Sequence, residues 1–219
     1  DCLLSRGLGD VYKRQAWNHP VPPIVDADAL VVLGGSMSCQ DDAEAPWLAP
    51  TRQLISRTVR AGTPFLGICL GHQLATVALG GQVCTSDHFC LGAAEMHLTP
   101  EGKKDPLLSV YDGHRGIHFN NDVAVVLPED AVLLARDPTG QIEAVRFAER
   151  AWGVQFHPEC TPEIFDAWTI GHGEKEWQQR LPWSEAVTVA ETVRRDIDTV
   201  NAEEAFAARF QELIDPEKR

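Results

Sequence analysis

The chain has 219 residues, 44% of them hydrophobic, enough to build the core of one α/β domain with a helical extension. Lys and Arg number 19 against 32 Asp and Glu, and the net charge of −13 argues against a nucleic-acid or anionic-membrane partner. No run is long and apolar enough to span a bilayer, Leu3-Leu4 is too short for a signal-peptide core, and six cysteines without a C-x-x-C pair read as reduced thiols of a cytoplasmic protein.

Residues 1–15, DCLLSRGLGDVYKRQ, show neither a strand nor a helix period and are expected to be a non-native or disordered tail. Residues 16–28 carry Pro20, Pro22 and Pro23 and read as an extended lead-in. Leu30 to Leu33 form an apolar run closed by Gly34-Gly35, which suits a buried parallel strand with a glycine turn at its carboxyl end. After Pro46-Trp47, the spacing of Leu48, Ile55 and Val59 predicts a helix that Gly62 closes. Phe65, Leu66 and Ile68 predict a buried strand, and Leu70, Leu74, Val77 and Ala78 a helix stopped by Gly80-Gly81. Cys84, His88 and Cys90 are close in sequence but lack a fourth ligand and paired spacing, so no metal and no cofactor is expected. Short strands are predicted at 93–98, 117–119, 123–127, 132–135, 143–147 and 152–156, a spacing that suits antiparallel additions to a parallel core. Thr161 caps and Pro162 opens a helix through Phe165 and Trp168. Residues 184–214 read as mainly helical, with Val189, Val193, Ile197 and Val200 near one face.

Between the second strand and its helix lies Gly67-Ile68-Cys69-Leu70-Gly71, the pattern of a nucleophile elbow with Cys in place of Ser. Small flanking residues permit the sharp turn, and the helix N-terminus behind Cys69 favours a thiolate and offers N–H groups to an oxyanion. A cysteine nucleophile needs an imidazole partner. His157 ends a strand and stands two residues before Glu159, so both project to one side if the chain stays extended, as Pro158 favours. Glu159 would then orient the imidazole. Taken singly, the elbow equally suits a buried cysteine in an ordinary strand-to-helix crossing, and His-Pro-Glu a surface turn. Together, Cys followed by His-x-Glu points to a triad.

With these pieces in order, LVVLGG at 30–35, PFLGICLGHQLATVALGG at 64–81, LPEDAVLLAR at 127–136 and WGVQFHPE at 152–159, the sequence resembles the class I glutamine amidotransferases. It is most similar to the glutaminase domain of GMP synthetases and its stand-alone relatives, over about residues 25–175. The resemblance implies a flavodoxin-like, three-layer α/β fold with a mostly parallel sheet and antiparallel additions. One domain is expected over 16–180, with a C-terminal helical extension over 181–219 packed on it. The resemblance also implies a mechanism: Cys69 attacks the side-chain amide of glutamine, backbone N–H groups of Gly35 and Leu70 form the oxyanion hole, His157 moves protons and Glu159 orients it. Gln73 resembles a substrate-contacting position, and His72 beside it a structural neighbour. Many relatives carry a Ser-His-x-Asp segment that helps hold the substrate. Here the aligned residues are Phe119, Asn120, Asn121 and Asp122, with Asn120 in place of that His.

The expected activity is that of a stand-alone glutamine amidotransferase or glutaminase, a hydrolase passing ammonia to a synthetase on another chain. A γ-glutamyl peptidase acting on larger γ-glutamyl conjugates is the alternative enzyme, and a non-catalytic binding protein that keeps the fold is the alternative outside enzymes. Relatives place a strand and a helix before LVVLGG, which takes about 30 residues or more. Only 29 residues precede Leu30, and 1–15 show no such pattern, so an N-terminally truncated and less stable fold is expected.

Overall fold

The computed structural model describes residues 15–16, 18–169, 182–196 and 202–214. Its centre is a mixed sheet of six strands: β1 (Leu30–Val32), β2 (Phe65–Ile68), β4 (His97–Leu98), β6 (Val132–Arg136), β7 (Ile142–Ala148) and β8 (Ala151–Val154). Their order is β1-β2-β8-β7-β6-β4. β1, β2 and β8 run parallel, and β7, β6 and β4 extend the sheet with antiparallel pairings. The expected parallel core with antiparallel additions is therefore present. The two halves meet where β8 pairs β2 on one side and β7 on the other.

Side chains alternate across these strands, as the two-residue period requires. Phe65, Val145 and Ala151 face one core with Leu48, Ile55 and Val59 of α1 (Leu48–Arg60) and Leu70 and Leu74 of α2 (Leu70–Ala78). Leu66, Ile68, Trp152 and Val154 face the other core, with Leu107, Leu108, Tyr111 and the helical residues Phe206 and Phe210. This second core includes the C-terminal helix α5 (Glu203–Ile214). The result is three layers, helix, sheet and helix, with Trp152, Phe65, Phe156 and Tyr111 among the largest fully buried side chains.

Two glycines on adjacent central strands bring α2 down onto the sheet. Gly67 and Gly153 stand side by side in the β2–β8 register. A Cβ on Gly67 would lie 2.5 Å from the Gly71 carbonyl oxygen, and one on Gly153 would lie 2.5 Å from His72 Nδ1. Neither position has room for a side chain, so the helix starts flush with the strand ends and carries Cys69 with it.

The strands expected at 93–98, 117–119 and 123–127 differ from those observed. β3 (Gln82–Glu95) and β5 (Arg115–Val126) form one long antiparallel ribbon, separate from the main sheet. Thr85 pairs Asp122 and Cys90 pairs Asn120, so residues 86–89 stand opposite Asn121 alone. That bulge breaks the alternation of a regular strand. The last expected strand also stops short, β8 ending at Val154 rather than running to Phe156.

Helix α3 (Pro162–Thr169) starts as expected, with the Ile164 N–H donating to Thr161 Oγ1 at 3.3 Å. Together with α4 (Trp183–Asp196) and the ribbon it encloses a small satellite core of Ile117, Cys160, Phe165, Ala190 and Val193. Ile197 and Val200, expected on the same helical face, lie outside the described residues, as do residues 1–14 of the expected tail. Among the described residues no helix is long and apolar enough to cross a membrane.

Candidate functional site

Cys69 stands between the last residue of β2 and the first of α2, with φ 51° and ψ −108°. Among the described residues it is the one non-glycine with positive φ. Such a backbone costs roughly 1–3 kcal/mol and persists only where its surroundings enforce it. Here the Cys69 N–H donates to the Val154 carbonyl at 2.8 Å, and the Cys69 carbonyl accepts from the Gln73 N–H at 3.0 Å. The first bond ties the turn to β8 and the second starts the helix. Leu70, the first helical residue, has no intrahelical partner for its own N–H.

His157 follows the end of β8. Its N–H donates to the Ile117 carbonyl of β5 at 2.8 Å, and its Nδ1 lies 2.8 Å from Glu159 Oε1. The Cys69 side chain beside it favours the protonated ring. Cys69, His157 and Glu159 are 5%, 4% and 9% exposed, so the three form one buried array. Burial by itself would lower the His157 pKa. The Glu159 carboxylate and the neighbouring Cys69 outweigh it and raise the value to about 10. The ring is therefore an imidazolium at neutral pH. Burial pushes the Cys39 and Cys90 thiols the other way from activation, each up to about 11.

Gly34 completes the array and was not singled out from the sequence beyond the LVVLGG run. A Cβ there would lie 3.0 Å from His157 Cε1, 3.5 Å from Cys69 Cβ and 3.9 Å from Cys69 Sγ. At Gly35 a Cβ would lie 2.8 Å from Leu70 Cδ2, which sets that backbone against the start of α2. Gly34→Ala is expected to displace the imidazole by a few tenths of an ångström. Misplacement on the ångström scale costs about a hundredfold, so a fall in kcat of roughly tenfold or more is expected. Thermal unfolding should barely move, and steady-state rates beside a melt check both.

Gln73 is buried, and its Nε2 donates to the Asp122 carbonyl at 2.9 Å and to Gln155 Oε1 at 3.3 Å. Asn120 Nδ2 donates to the same carbonyl at 3.2 Å, and Asp122 Oδ1 accepts from Thr85 Oγ1 at 2.9 Å. The structure thus joins Gln73, Asn120 and Asp122 in one polar cluster across the bulge, while Asn121 points outward and is exposed. Gln155 belongs to this cluster and lay hidden within WGVQFHPE. Two buried atoms of the cluster, Asn120 Oδ1 and Gln155 Nε2, have no hydrogen-bond partner. His72 is fully buried, stacks on Phe147 and has both ring nitrogens unpartnered. Burial lowers its pKa to about 4, so it is a neutral packing residue.

A second buried pair, His118 and Glu143, was also missed: Nε2 lies 2.7 Å from Oε2, and His118 Nδ1 lies 3.0 Å from the Gly116 carbonyl. Burial lowers the His118 pKa, but the Glu143 carboxylate more than compensates and raises it. The partners are 25 residues apart, and no local spacing announces them.

Residues 8–171 match the family model described as glutamine amidotransferase class-I. The chain is 31% identical over 177 residues to the glutamine amidotransferase-like protein YfeJ of Salmonella typhimurium, covering 78% of this chain and 73% of that one. It is 31% identical over 158 residues to one subunit of the glutamine-hydrolysing GMP synthase of Halobacterium salinarum, covering 71% of this chain and 79% of that one. The full-length GMP synthase of Tolumonas auensis is longer, and the chain, 29% identical to it over 92% of its own length, spans 39% of that protein. The crystal structure of a glutamine amidotransferase from Thermotoga maritima superposes with a TM-score of 0.72 at 21% identity, covering 86% of this chain and 78% of that one, and shares the fold. The chain belongs to the class-I glutamine amidotransferase family.

Proposed function

We propose that this chain hydrolyses the side-chain amide of glutamine to glutamate and ammonia through a thioester on Cys69. The observation that carries the proposal is the buried array of Glu159, His157 and Cys69 at the strained turn. The Cys69 thiolate attacks the amide carbon, and the oxyanion is held by the N–H groups of Gly35 and Leu70. The imidazolium of His157 gives its proton to the departing nitrogen, which leaves as ammonia. His157, now neutral, takes a proton from water as that water attacks the thioester. The C–S bond then breaks, glutamate leaves and the thiolate–imidazolium pair is restored. Glu159 keeps Nδ1 protonated and the ring oriented throughout. Gln73, Asn120 and Asp122 hold the substrate beside the nucleophile.

The relative from Halobacterium salinarum is named as one subunit of a synthase. By analogy, the ammonia made here is handed to a synthetase on a separate chain.

A second reading rests on the polar cluster. Asn120 stands where the resemblance places a His of many relatives, and its buried Oδ1 is unpartnered, which supports a substrate other than free glutamine. A γ-glutamyl peptidase would use the same array on larger γ-glutamyl amides. One experiment separates the readings: ammonia release from glutamine beside amine release from γ-glutamyl conjugates. Faster turnover of glutamine supports the first reading and faster turnover of conjugates the second. No turnover of either would make the chain a non-catalytic binding protein.

The same assay orders the two supporting residues. Glu159→Gln is expected to lose less activity than His157→Ala, because the carboxylate orients the ring while the ring itself carries the protons. The reverse order would reject these assignments.

A further inference from the structure

The His157 ring has a third neighbour besides Cys69 and Glu159. The centroid of the Trp168 ring lies 4.5 Å from that of His157, with the planes inclined at 57°. Trp168 is itself backed by Phe119 of β5 at 5.9 Å, and Phe119 by Phe89 of the β3 bulge at 5.4 Å. Three elements of unrelated sequence therefore converge in one aromatic row that ends on the imidazole. Helix α3 holds its end of the row firmly: Phe165 is fully buried in the satellite core, and Asp166 is paired with Arg194 of α4.

We propose that Trp168 is a positioning residue that holds His157 as an imidazolium through a cation–π contact and keeps the ring turned toward Cys69. This rests on the role given to His157 above. A cation within about 6 Å of an indole centroid is attracted by the ring, and the attraction grows as water is excluded. Both conditions hold at His157, which is 4% exposed. Among the described residues, the charged groups that act on the ring are these. Glu159 and Cys69 favour its proton, and His157 in turn lowers the pKa of His118, which is paired with Glu143. From α3 the contact is Trp168, since Asp166 is engaged with Arg194.

Apolar cover and cation–π attraction act in opposite directions on the proton. Removing cover hydrates the imidazolium and raises its pKa, whereas removing the π face lowers it. NMR titration of the His157 Cε1–H signal, assigned by its absence from His157→Gln, tells them apart. In Trp168→Leu, which keeps an apolar side chain, the midpoint is expected to fall by about half to one and a half pH units. Trp168→Phe should fall less, and kcat should drop more than KM changes. Incorporation of fluorinated tryptophan, which weakens the ring's negative face and keeps its shape, should lower the midpoint in the wild-type chain even if Trp168→Leu does not fold. A midpoint that stays or rises in Trp168→Leu, or one that fluorination leaves unchanged, would overturn the proposal. The titration needs no turnover, so a wild-type chain inactive on glutamine would refute the proposed function and leave this result standing on its own.

Discussion

Cys69→Ala is expected to reduce glutamine hydrolysis to background while leaving a folded protein. The thiolate supplies the only covalent bond between protein and substrate in the proposed cycle, and among the described residues no neighbouring group can substitute for it. His72 is neutral and lacks a partner, and burial raises the Cys39 and Cys90 thiols to about 11. A triad acts as a unit, so loss of its nucleophile removes most of the rate that the whole array contributes, on the order of 10⁴-fold or more. Stability should change little. Alanine meets the same positive φ that cysteine already bears, and the bonds fixing the turn run through its backbone, to Val154 and from Gln73. The side chain removed is one sulfur atom, worth about 1 kcal/mol of burial at most. Ammonia release from glutamine and a thermal melt on the same preparation check the pair of statements. Activity within tenfold of wild type in a verified Cys69→Ala sample would reject the mechanism. Cys84, which is exposed, serves as the control: its replacement should leave both measurements unchanged.

The elements that position Cys69 were legible in the sequence because each has a local cause. The apolar run before Gly34-Gly35, the helix from Leu48 and the elbow helix ended by Gly80-Gly81 follow from periodicity and glycine alone. Cys69, His157 and Glu159 were readable for a similar reason: the elbow and His-Pro-Glu are each short, and their order in the chain joins them. The ribbon was not readable. From Gln82 to Leu91 the buried positions do not alternate, because residues 86–89 bulge opposite one residue of β5 and much of the strand is exposed. The sequence pattern divides β5 into two short strands, since Asn120-Asn121-Asp122 interrupts its apolar run to serve the polar cluster. Gly34, Gln155, Trp168 and the His118–Glu143 pair acquire meaning only through contacts between distant segments. A sequence pattern has no period for those.

Gly71→Ala is expected to be the most damaging single methyl group that can be added near the site. A Cβ at Gly71 would lie 2.0 Å from the Val32 carbonyl oxygen, 2.8 Å from its carbon and 3.1 Å from Val32 Cβ. The first two atoms are strand backbone and the third is bonded directly to it, so no side-chain rotation relieves the clash. β1 is held to β2 by the register Val32–Gly67, and α2 sits so close to Gly67 that a Cβ there would lie 2.5 Å from the Gly71 carbonyl oxygen. Relief must come from moving either β1 or α2. Moving β1 carries Gly34 and Gly35 off the nucleophile, and moving α2 rotates Cys69 and Gln73 out of the turn. Both routes spoil the site before the chain unfolds. A forced shift of packed backbone lies at the upper end of single-substitution effects, roughly 3–5 kcal/mol. For a chain of this size that is a fall in Tm of about 10 °C, with hydrolysis lost even below the new midpoint. Gly113→Ala gives the contrast. Gly113 has φ +79° but open space around the added methyl, so it should cost about 1 kcal/mol in backbone strain and leave activity intact. Melts and ammonia release on the two variants together test the argument. If Gly71→Ala is no less stable than Gly113→Ala, the close seating of α2 on β1 and β2 is not what holds Cys69 in place.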